Sequence, residues 1–334
     1  MHIAPEEPPT ILIFATGGTI GMRETASGLA PDPDFPEILE DLAREIASPL
    51  GIQIRINHLQ PAIDSANADA ETAPKIARAV RARVGAMKPR GVVVTHGTDT
   101  LAYTASRLAF ELSDLGTPVV LTGSQLPHAA DDTDAADNLR LAIRVAAKAG
   151  RHAPVTIAFG GEILPAVRAT KADADAFKAF RAERALDPNT AGVPPLRPEA
   201  DGREAARVLT YRFTPAVTPA DLTAAVSADP AALVLECYGA GNAPTSRPGM
   251  RDAIRAITDE MPVVAITQCA QGSARLGRYA VGSELANAGV IDGGDLTVEA
   301  AVAKLGYLID AGYAAAEVKT LMPVNLAGEM SASE

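Results

Sequence analysis

The sequence is poor in residues that cross-link a chain or anchor it in a membrane. Only two of the 334 residues are cysteine, Cys237 and Cys269, which gives no disulfide framework. Each follows an apolar run, so we expect two buried thiols at neighbouring strand ends. No stretch is long and apolar enough to span a bilayer, and residues 1–10 lack the basic and apolar regions of a secretory signal. These features predict a reduced, cytoplasmic protein.

Positive charge is also scarce. The chain has 30 Lys and Arg residues against 41 Asp and Glu residues, so its net charge at pH 7 is −11. Nucleic acids and anionic membrane surfaces both attract clustered Lys and Arg side chains, so we expect neither as a partner. The five histidines are scattered without the spacing of metal ligands, which predicts that no metal is bound.

Apolar residues make up 47% of the chain, which is enough to bury a substantial core. Because 334 residues exceed the usual size of a single core, we expect two domains. Short apolar runs that end in small polar or glycine-rich turns alternate with segments of helical periodicity, such as residues 34–47 and 72–87. This alternation predicts an α/β fold with mostly parallel sheets and with the polar turns along one sheet edge.

A proline-rich, charged stretch marks the predicted domain boundary. Residues 186–207 contain four prolines and few apolar residues, which is typical of a linker. We therefore predict an N-terminal domain over residues 1–190, a linker over 191–212 and a C-terminal domain over 213–334.

The most informative stretch is Arg90–Ser106, where an apolar run breaks into a polar turn before helical spacing resumes. Strand, turn and helix in this order present a ligand beyond the carboxyl end of a strand in an open α/β sheet. Thr98 and Asp99 would lie at that edge, near the positive end of a helix. A lone threonine there is more often structural, for example as a helix N-cap.

A second stretch, residues 10–21, has the same layout and places Thr16 at the end of a predicted strand. The glycines that follow do not fit the G-x-G-x-x-G fingerprint, and no basic residue follows as in a P-loop, so a dinucleotide site is not favoured. Two strand ends that bear hydroxyl groups instead suggest a nucleophile and a second group that assists it.

Two motifs carry a resemblance to a known family. Ala15-Thr16-Gly17-Gly18-Thr19-Ile20 and His96-Gly97-Thr98-Asp99-Thr100 resemble the two signatures of the bacterial-type L-asparaginase family. The similarity extends to four shorter motifs, of which the last two most resemble the cytoplasmic type I branch: 122–125, 170–172, 238–244 and 267–269. The resemblance implies a larger N-terminal, Rossmann-like domain, a smaller C-terminal α/β domain and a homo-oligomer, either a dimer or a tetramer.

The resemblance also implies an activity, the hydrolysis of L-asparagine to L-aspartate and ammonia without a cofactor or a metal. Thr16 would attack the side-chain amide and form an acyl-enzyme that water then resolves. Thr98, Asp99 and Lys171 match the second catalytic cluster of the family.

Substrate binding is implied at four positions. Asp99 would pair with the α-ammonium of asparagine, Ser65 would hydrogen-bond its carboxylate, and Gly17 and Gly97 would line the site. Lys171 can act as a base only if burial or a nearby cation lowers its pKa, and the adjacent Asp99 acts in the opposite direction. A structural ion pair between Lys171 and Asp99 is an equally open interpretation.

One expected residue is missing. The family carries a catalytic tyrosine on a mobile lid, and the matching position is Leu29, within residues 22–36, whose glycine and three prolines suit a lid. Leucine neither donates nor accepts a proton, so the first cluster lacks its usual activator. Two alternatives therefore stay open: a catalytically weak asparagine- or aspartate-binding relative, and an amidohydrolase that acts on another small amide.

Overall fold

The computed structural model describes residues 8–197, 202, 204–277 and 280–331. The chain divides between Arg181 and Ala182 into two compact units, of which the first is the larger. Across the described ranges, no helix is both long and apolar enough to cross a bilayer.

A six-stranded sheet forms the centre of the first unit. The strands of this unit are β1 (Thr10–Gly17), β2 (Met22–Thr25), β3 (Gly28–Pro31), β4 (Gln53–Ile63), β5 (Gly91–Thr95), β6 (Val119–Thr122), β7 (Thr156–Phe159), β8 (Glu162–Pro165), β9 (Thr170–Lys171) and β10 (Phe180–Arg181). The order in the main sheet is β4-β1-β5-β6-β7-β8, and only the β7–β8 pair is antiparallel. β2 pairs with β3, and β9 pairs with β10, as antiparallel hairpins.

Four helices flank this sheet: α1 (Phe35–Ala47), α2 (Thr72–Met87), α3 (Leu101–Glu111) and α4 (Ala135–Lys148). α1 and α4 bury their apolar faces against β1 and β5 in one core cluster, while α2 packs against α3. The helices predicted from periodicity at residues 34–47 and 72–87 are confirmed. The central strands β1 and β5 are rich in β-branched residues and are buried apart from the two end residues of β1, as expected of a parallel sheet that helices cover.

The parallel arrangement brings the carboxyl ends of β4, β1 and β5 side by side at one edge of the sheet. The turns that follow these strands therefore adjoin: a 3₁₀ turn at Ser65–Asn67, the glycine-rich turn after β1, and residues 96–100 between β5 and α3. The predicted gathering of polar turns at one sheet edge is confirmed.

The second unit contains a four-stranded parallel sheet of order β11-β12-β13-β14, formed by β11 (Val208–Arg212), β12 (Ala232–Cys237), β13 (Val263–Thr267) and β14 (Ile291–Asp292). Its helices are α5 (Pro219–Val226), α6 (Met250–Glu260), α7 (Ala280–Asn287), α8 (Val298–Asp310) and α9 (Ala315–Leu321). The predicted α/β class with mostly parallel sheets is confirmed. The last five residues of the predicted linker form β11, and the domain boundaries at 190 and 212 stay a prediction.

The two cysteines differ in exposure, so the expectation that both thiols are buried is wrong for one of them. Cys237 is the last residue of β12 and is fully buried. Burial, together with the adjacent carboxylate of Glu236, raises the pKa of the Cys237 thiol to about 12. Because β13 ends at Thr267, Cys269 falls in the turn beyond the strand and is exposed.

A wholly buried ion pair links α8 to the chain that follows α9 in the second unit. Lys304 Nζ of α8 lies 2.7 Å from Glu329 Oε1, and neither side chain is exposed. The ammonium also donates to the carbonyl of Met322, while the Glu329 carboxylate accepts from the main-chain N–H groups of Leu326 and Ala327. Burial lowers the pKa of Lys304, and the nearby carboxylate offsets part of that effect.

We expect Glu329→Gln to lower the free energy of unfolding of this unit by about 3–5 kcal/mol, because it leaves a buried ammonium without its counter-charge. The measurement is the urea midpoint followed by circular dichroism. Glu317→Gln, which breaks the exposed pair of Glu317 with Arg197, serves as the matched control and should shift the midpoint little. Equal small shifts in the two variants would contradict the structural role of the buried pair.

Candidate active site

Thr16 lies at the carboxyl end of β1 and is completely buried. Its hydroxyl donates a hydrogen bond of 2.6 Å to the carbonyl oxygen of Thr95, the last residue of the neighbouring strand β5. A main-chain carbonyl accepts a hydrogen bond but cannot remove the proton. In this conformation, none of the described groups is seen to accept the Thr16 proton as a base would.

Glycines let the three strand ends approach one another closely. Gly17 and Gly18 have φ values of 121° and 91°, in the region that favours glycine. A Cβ on Gly17 would lie 2.4 Å from the carbonyl oxygen of Ile63, and one on Gly18 would lie 2.4 Å from the nitrogen of Gly97. A Cβ on Gly97 would lie 2.3 Å from Ser65 Oγ. The two motifs and Ser65 are thus in direct contact.

The second cluster forms as expected. Lys171 Nζ donates to Thr98 Oγ1 at 2.9 Å and to Asp99 Oδ1 at 2.8 Å. Thr98 is buried, the Lys171 side chain is 20% exposed and the Asp99 side chain is 59% exposed. Within the ranges that the structure describes, Asp99 Oδ2 has no protein partner, so this oxygen is available to a ligand from solvent.

Two hydroxyl groups, one on the residue before α3 and one within α3, hold the surrounding segments in place. Thr100 Oγ1 donates to the carbonyl of Ser65 at 2.8 Å, and Ser106 Oγ donates to the carbonyl of Ala166 at 2.9 Å. The first bond fixes the turn after β4, and the second fixes the segment that leads to Lys171 in β9. Both bonds link segments far apart in sequence, and they position Ser65 and Lys171 against the loop that carries Thr98.

His96 is a site residue to which the sequence assigned no role. Its ring is buried, with Nδ1 2.8 Å from the carbonyl oxygen of Gly97 and Nε2 3.1 Å from Thr104 Oγ1. Burial lowers the pKa of His96, so the ring is neutral. The proton then lies on Nδ1, which donates to the Gly97 carbonyl, and Nε2 accepts from Thr104. The one feature of the sequence that could have pointed to His96 is its position at the start of the second motif.

The predicted lid position stands apart from these contacts. Leu29 lies on β3, opposite Glu24 of β2, in a hairpin that follows the first motif. Its side chain is 51% exposed, and it makes none of the hydrogen bonds that join the other predicted site residues. The structure thus brings together Thr16, Gly17, Ser65, Gly97, Thr98, Asp99 and Lys171.

No group of three or more His, Cys, Asp or Glu side chains within the described parts of the chain is placed to hold a metal ion. The polar groups at this edge are instead hydroxyls, one lysine and one carboxylate. Such a set suits nucleophilic attack and the binding of a charged small molecule.

Comparison with known proteins decides the family. The model of the asparaginase N-terminal domain matches residues 10–191, and that of the glutaminase/asparaginase C-terminal domain matches residues 207–322. The chain belongs to the asparaginase family. Over 334 aligned residues, 96% of this chain and 98% of the relative, it is 35% identical to L-asparaginase 1 of Escherichia coli strain K12.

Solved structures of asparaginases agree with this assignment. The thermostable L-asparaginase from Thermococcus kodakarensis superimposes with a TM-score of 0.82 at 33% identity, covering 97% of this chain and 100% of that one. L-asparaginase I from Vibrio cholerae gives a TM-score of 0.82 at 33% identity, with coverage of 97% and 99%. The resemblance found in the two motifs is confirmed.

Because folding lowers the pKa of His96, the unfolded asparaginase chain takes up a proton more readily than the folded one. We therefore expect the free energy of unfolding to fall as the pH drops below the unfolded histidine pKa of about 6.5, with a limiting slope of about 1.4 kcal/mol per pH unit for this proton. The measurement is urea unfolding at a series of pH values. His96→Gln should flatten that dependence. His58→Gln, which removes an exposed histidine, should retain it. If the free energy of unfolding depends on pH equally in the two variants, His96 is not the group that causes the dependence.

Proposed function

We propose that this chain is an L-asparaginase that hydrolyses L-asparagine to L-aspartate and ammonia. The observation that carries the proposal is the hydrogen-bonded Thr98–Lys171–Asp99 cluster, which lies beside the buried Thr16 in a chain of the asparaginase family. A hydroxyl with a lysine partner, a second hydroxyl at an adjacent strand end and a free carboxylate oxygen supply the groups that hydrolysis of an amino-acid amide requires.

In the proposed reaction, Thr16 Oγ1 rotates away from the Thr95 carbonyl and forms a bond to the side-chain amide carbon of asparagine. The hydroxyl proton passes to a base, and main-chain N–H groups at Gly17 and Thr98 stabilise the oxyanion. The carbon–nitrogen bond then breaks, and ammonia leaves with a proton. Water attacks the resulting ester, which releases aspartate and returns a proton to Thr16.

Thr98 is the hydroxyl best placed to assist, since it is the one that Lys171 contacts. Lys171 acts as the base only when it has lost its own proton; as an ammonium it orients Thr98 and Asp99 without accepting a proton. Both roles are compatible with the distances of 2.9 and 2.8 Å from Lys171 Nζ.

Two groups are proposed to hold the charged end of the substrate. Asp99 Oδ2 is free to pair with the α-ammonium. Ser65 Oγ, against which Gly97 packs, makes no hydrogen bond to the described residues and can donate to the α-carboxylate. The main chain at Gly17 and Gly97 completes this side of the site.

A catalytically weak asparagine- or aspartate-binding protein is the second candidate, favoured by the hydrogen bond from the Thr16 hydroxyl to the Thr95 carbonyl, which is not a base, and by Leu29 in place of a proton donor. An amidohydrolase for another small amide is the third. Calorimetric titration with asparagine and aspartate, alongside ammonia release, separates these functions: binding without release supports the second candidate, and release from another amide alone supports the third.

Thr16→Ala should abolish the ester intermediate and lower kcat for ammonia release by at least about a thousandfold. Thr98→Ala should lower kcat by about a hundredfold or more, because it removes the proposed proton path. Intact-protein and peptide mass spectrometry after rapid acid quench should locate the acyl group on Thr16. Thr223→Ala, an exposed threonine of α5, is the control. An adduct on Thr98 that survives in Thr16→Ala would reverse the two assignments.

Leu29→Tyr should raise kcat by about tenfold if the lid brings position 29 to Thr16, because a phenol can relay a proton there. Leu29→Phe is the matched control, since it adds the ring without the hydroxyl. The measurement is initial rate of ammonia release over a wide range of asparagine concentration. If Phe and Tyr raise the rate equally, the missing hydroxyl does not limit turnover.

We also propose a cytoplasmic location and a homo-oligomer of two or four chains, without nucleic-acid or membrane partners. The unpaired cysteines, the net charge of −11 and the similarity to L-asparaginase 1 support these proposals.

A further inference from the structure

The peptide unit that joins Gly97 to Thr98 carries two groups that point in opposite directions. Its carbonyl oxygen, on Gly97, lies 2.8 Å from Nδ1 of the buried His96 ring. Its N–H, on Thr98, donates to no group of the described residues. Because this peptide bond is planar and trans, the N–H is directed away from the carbonyl. A contact that fixes the Gly97 carbonyl therefore also fixes the direction of the Thr98 N–H.

Two hydrogen bonds to the His96 ring agree on a single tautomer. Nδ1 must be the protonated nitrogen, because the carbonyl oxygen of Gly97 can only accept. The other nitrogen, Nε2, lies 3.1 Å from the hydroxyl of Thr104, which can donate to it. Thr104 belongs to α3 and is buried. The imidazole ring thus connects α3 to the Gly97 carbonyl, with a defined donor on the side of the peptide unit.

The main chain that precedes this peptide unit is fixed independently of the ring. The N–H of His96 donates to the carbonyl of Thr122, the last residue of β6, at 2.8 Å. A Cβ on Gly123 would lie 2.3 Å from the carbonyl oxygen of His96, so the two loops pack main chain against main chain. Gly97 follows, and glycine has the most permissive backbone. A flip of the Gly97–Thr98 peptide unit is therefore the motion against which the imidazole ring acts.

We propose that His96 is a positioning residue for oxyanion stabilisation: its Nδ1–H holds the Gly97 carbonyl and so keeps the Thr98 N–H directed at the oxygen of the substrate amide. A hydrogen bond to the carbonyl also polarises the peptide unit, which makes its N–H a stronger donor. The effect on turnover rests on the proposed asparaginase function, whereas the effect on the conformation of the Gly97–Thr98 peptide unit does not.

Two substitutions of His96 separate the roles of its two ring nitrogens. The amide of asparagine can place an N–H near the position of Nδ1, whereas the longer side chain of glutamine places its amide near the position of Nε2. His96→Asn should therefore keep the bond to the Gly97 carbonyl, and His96→Gln should lose it. Thr104→Val removes the donor to Nε2 at nearly constant volume, so the ring can then carry its proton on either nitrogen.

NMR spectroscopy of the isotope-labelled protein tests the conformational effect without any substrate. In the wild type, the His96 ring should carry its proton on Nδ1, and the Thr98 amide should give one sharp resonance. In His96→Gln that resonance should broaden or split as the peptide unit flips, and in His96→Asn it should stay single. A proton on Nε2 of the wild-type ring, or an unchanged Thr98 resonance in His96→Gln, would overturn the proposal. The first of these measurements needs no variant.

The kinetic readout is kcat and KM for ammonia release from asparagine. An oxyanion develops only as the reaction proceeds, so a misplaced donor should act on kcat. We expect His96→Gln to lower kcat by about tenfold, which is less than complete loss of an oxyanion donor costs, and to change KM by less than about twofold. His96→Asn should stay within about threefold of the wild-type kcat, with Thr104→Val between the two. His58→Gln, at an exposed position, is the control.

Equal kcat values for His96→Asn and His96→Gln, or a change in KM alone, would overturn the proposal. Absence of ammonia release from the wild type would refute the proposed function alone, because the tautomer of His96 and the resonance of the Thr98 amide still decide the role of the ring.

Discussion

The candidate site depends on the contact of three main-chain segments at the ends of β4, β1 and β5. Gly17, Gly18 and Gly97 permit that contact, because a Cβ at each would come within 2.4 Å of a neighbouring atom. The register of β1 against β4 shifts between Ala15 and Gly17, so Thr16 sits where the regular ladder ends. Without these close approaches, Ser65 and the loop after β5 would be held apart from Thr16, and no shared site would form.

The loop that carries Thr98 is held by bonds on several sides, which makes it a rigid platform. His96 ties it to α3 through Thr104, and Thr100 ties α3 to the turn that contains Ser65. Because these groups are already ordered, Lys171 can reach Thr98 and Asp99 without reorganising them. The protein itself therefore holds these groups of the candidate site in place.

The sequence could predict the sheet edge, because parallel strands place successive turns at the same side regardless of their detailed packing. The proximity of Lys171 to Thr98, across more than seventy residues, came from the family resemblance, since no periodicity reports a contact of that range. Other features had no signal at all. The hydrogen bond from Thr16 to Thr95 depends on which rotamer the Thr16 side chain adopts. The exposure of Cys269 depends on the residue at which β13 ends. His128 and Asp32 are far apart in sequence, and only the folded chain brings them close.

The hairpin of β2 and β3 carries no proton-transferring side chain at position 29, which bears on the proposed reaction. In the proposed reaction, a tyrosine at this position could relay a proton to Thr16, whereas the side chain of Leu29 has no group that transfers a proton. At the base of this hairpin, the main-chain N–H of Asp32 donates to the carbonyl of Gly21, and the ring of His128 lies between the carbonyl of Ile20 and the carboxylate of Asp32. The two hydroxyls differ in their hydrogen-bond partners: the Thr16 hydroxyl donates to a main-chain carbonyl, whereas the Thr98 hydroxyl accepts from Lys171. In the proposed reaction, the proton of Thr16 must therefore be taken up by a group other than the side chain at position 29.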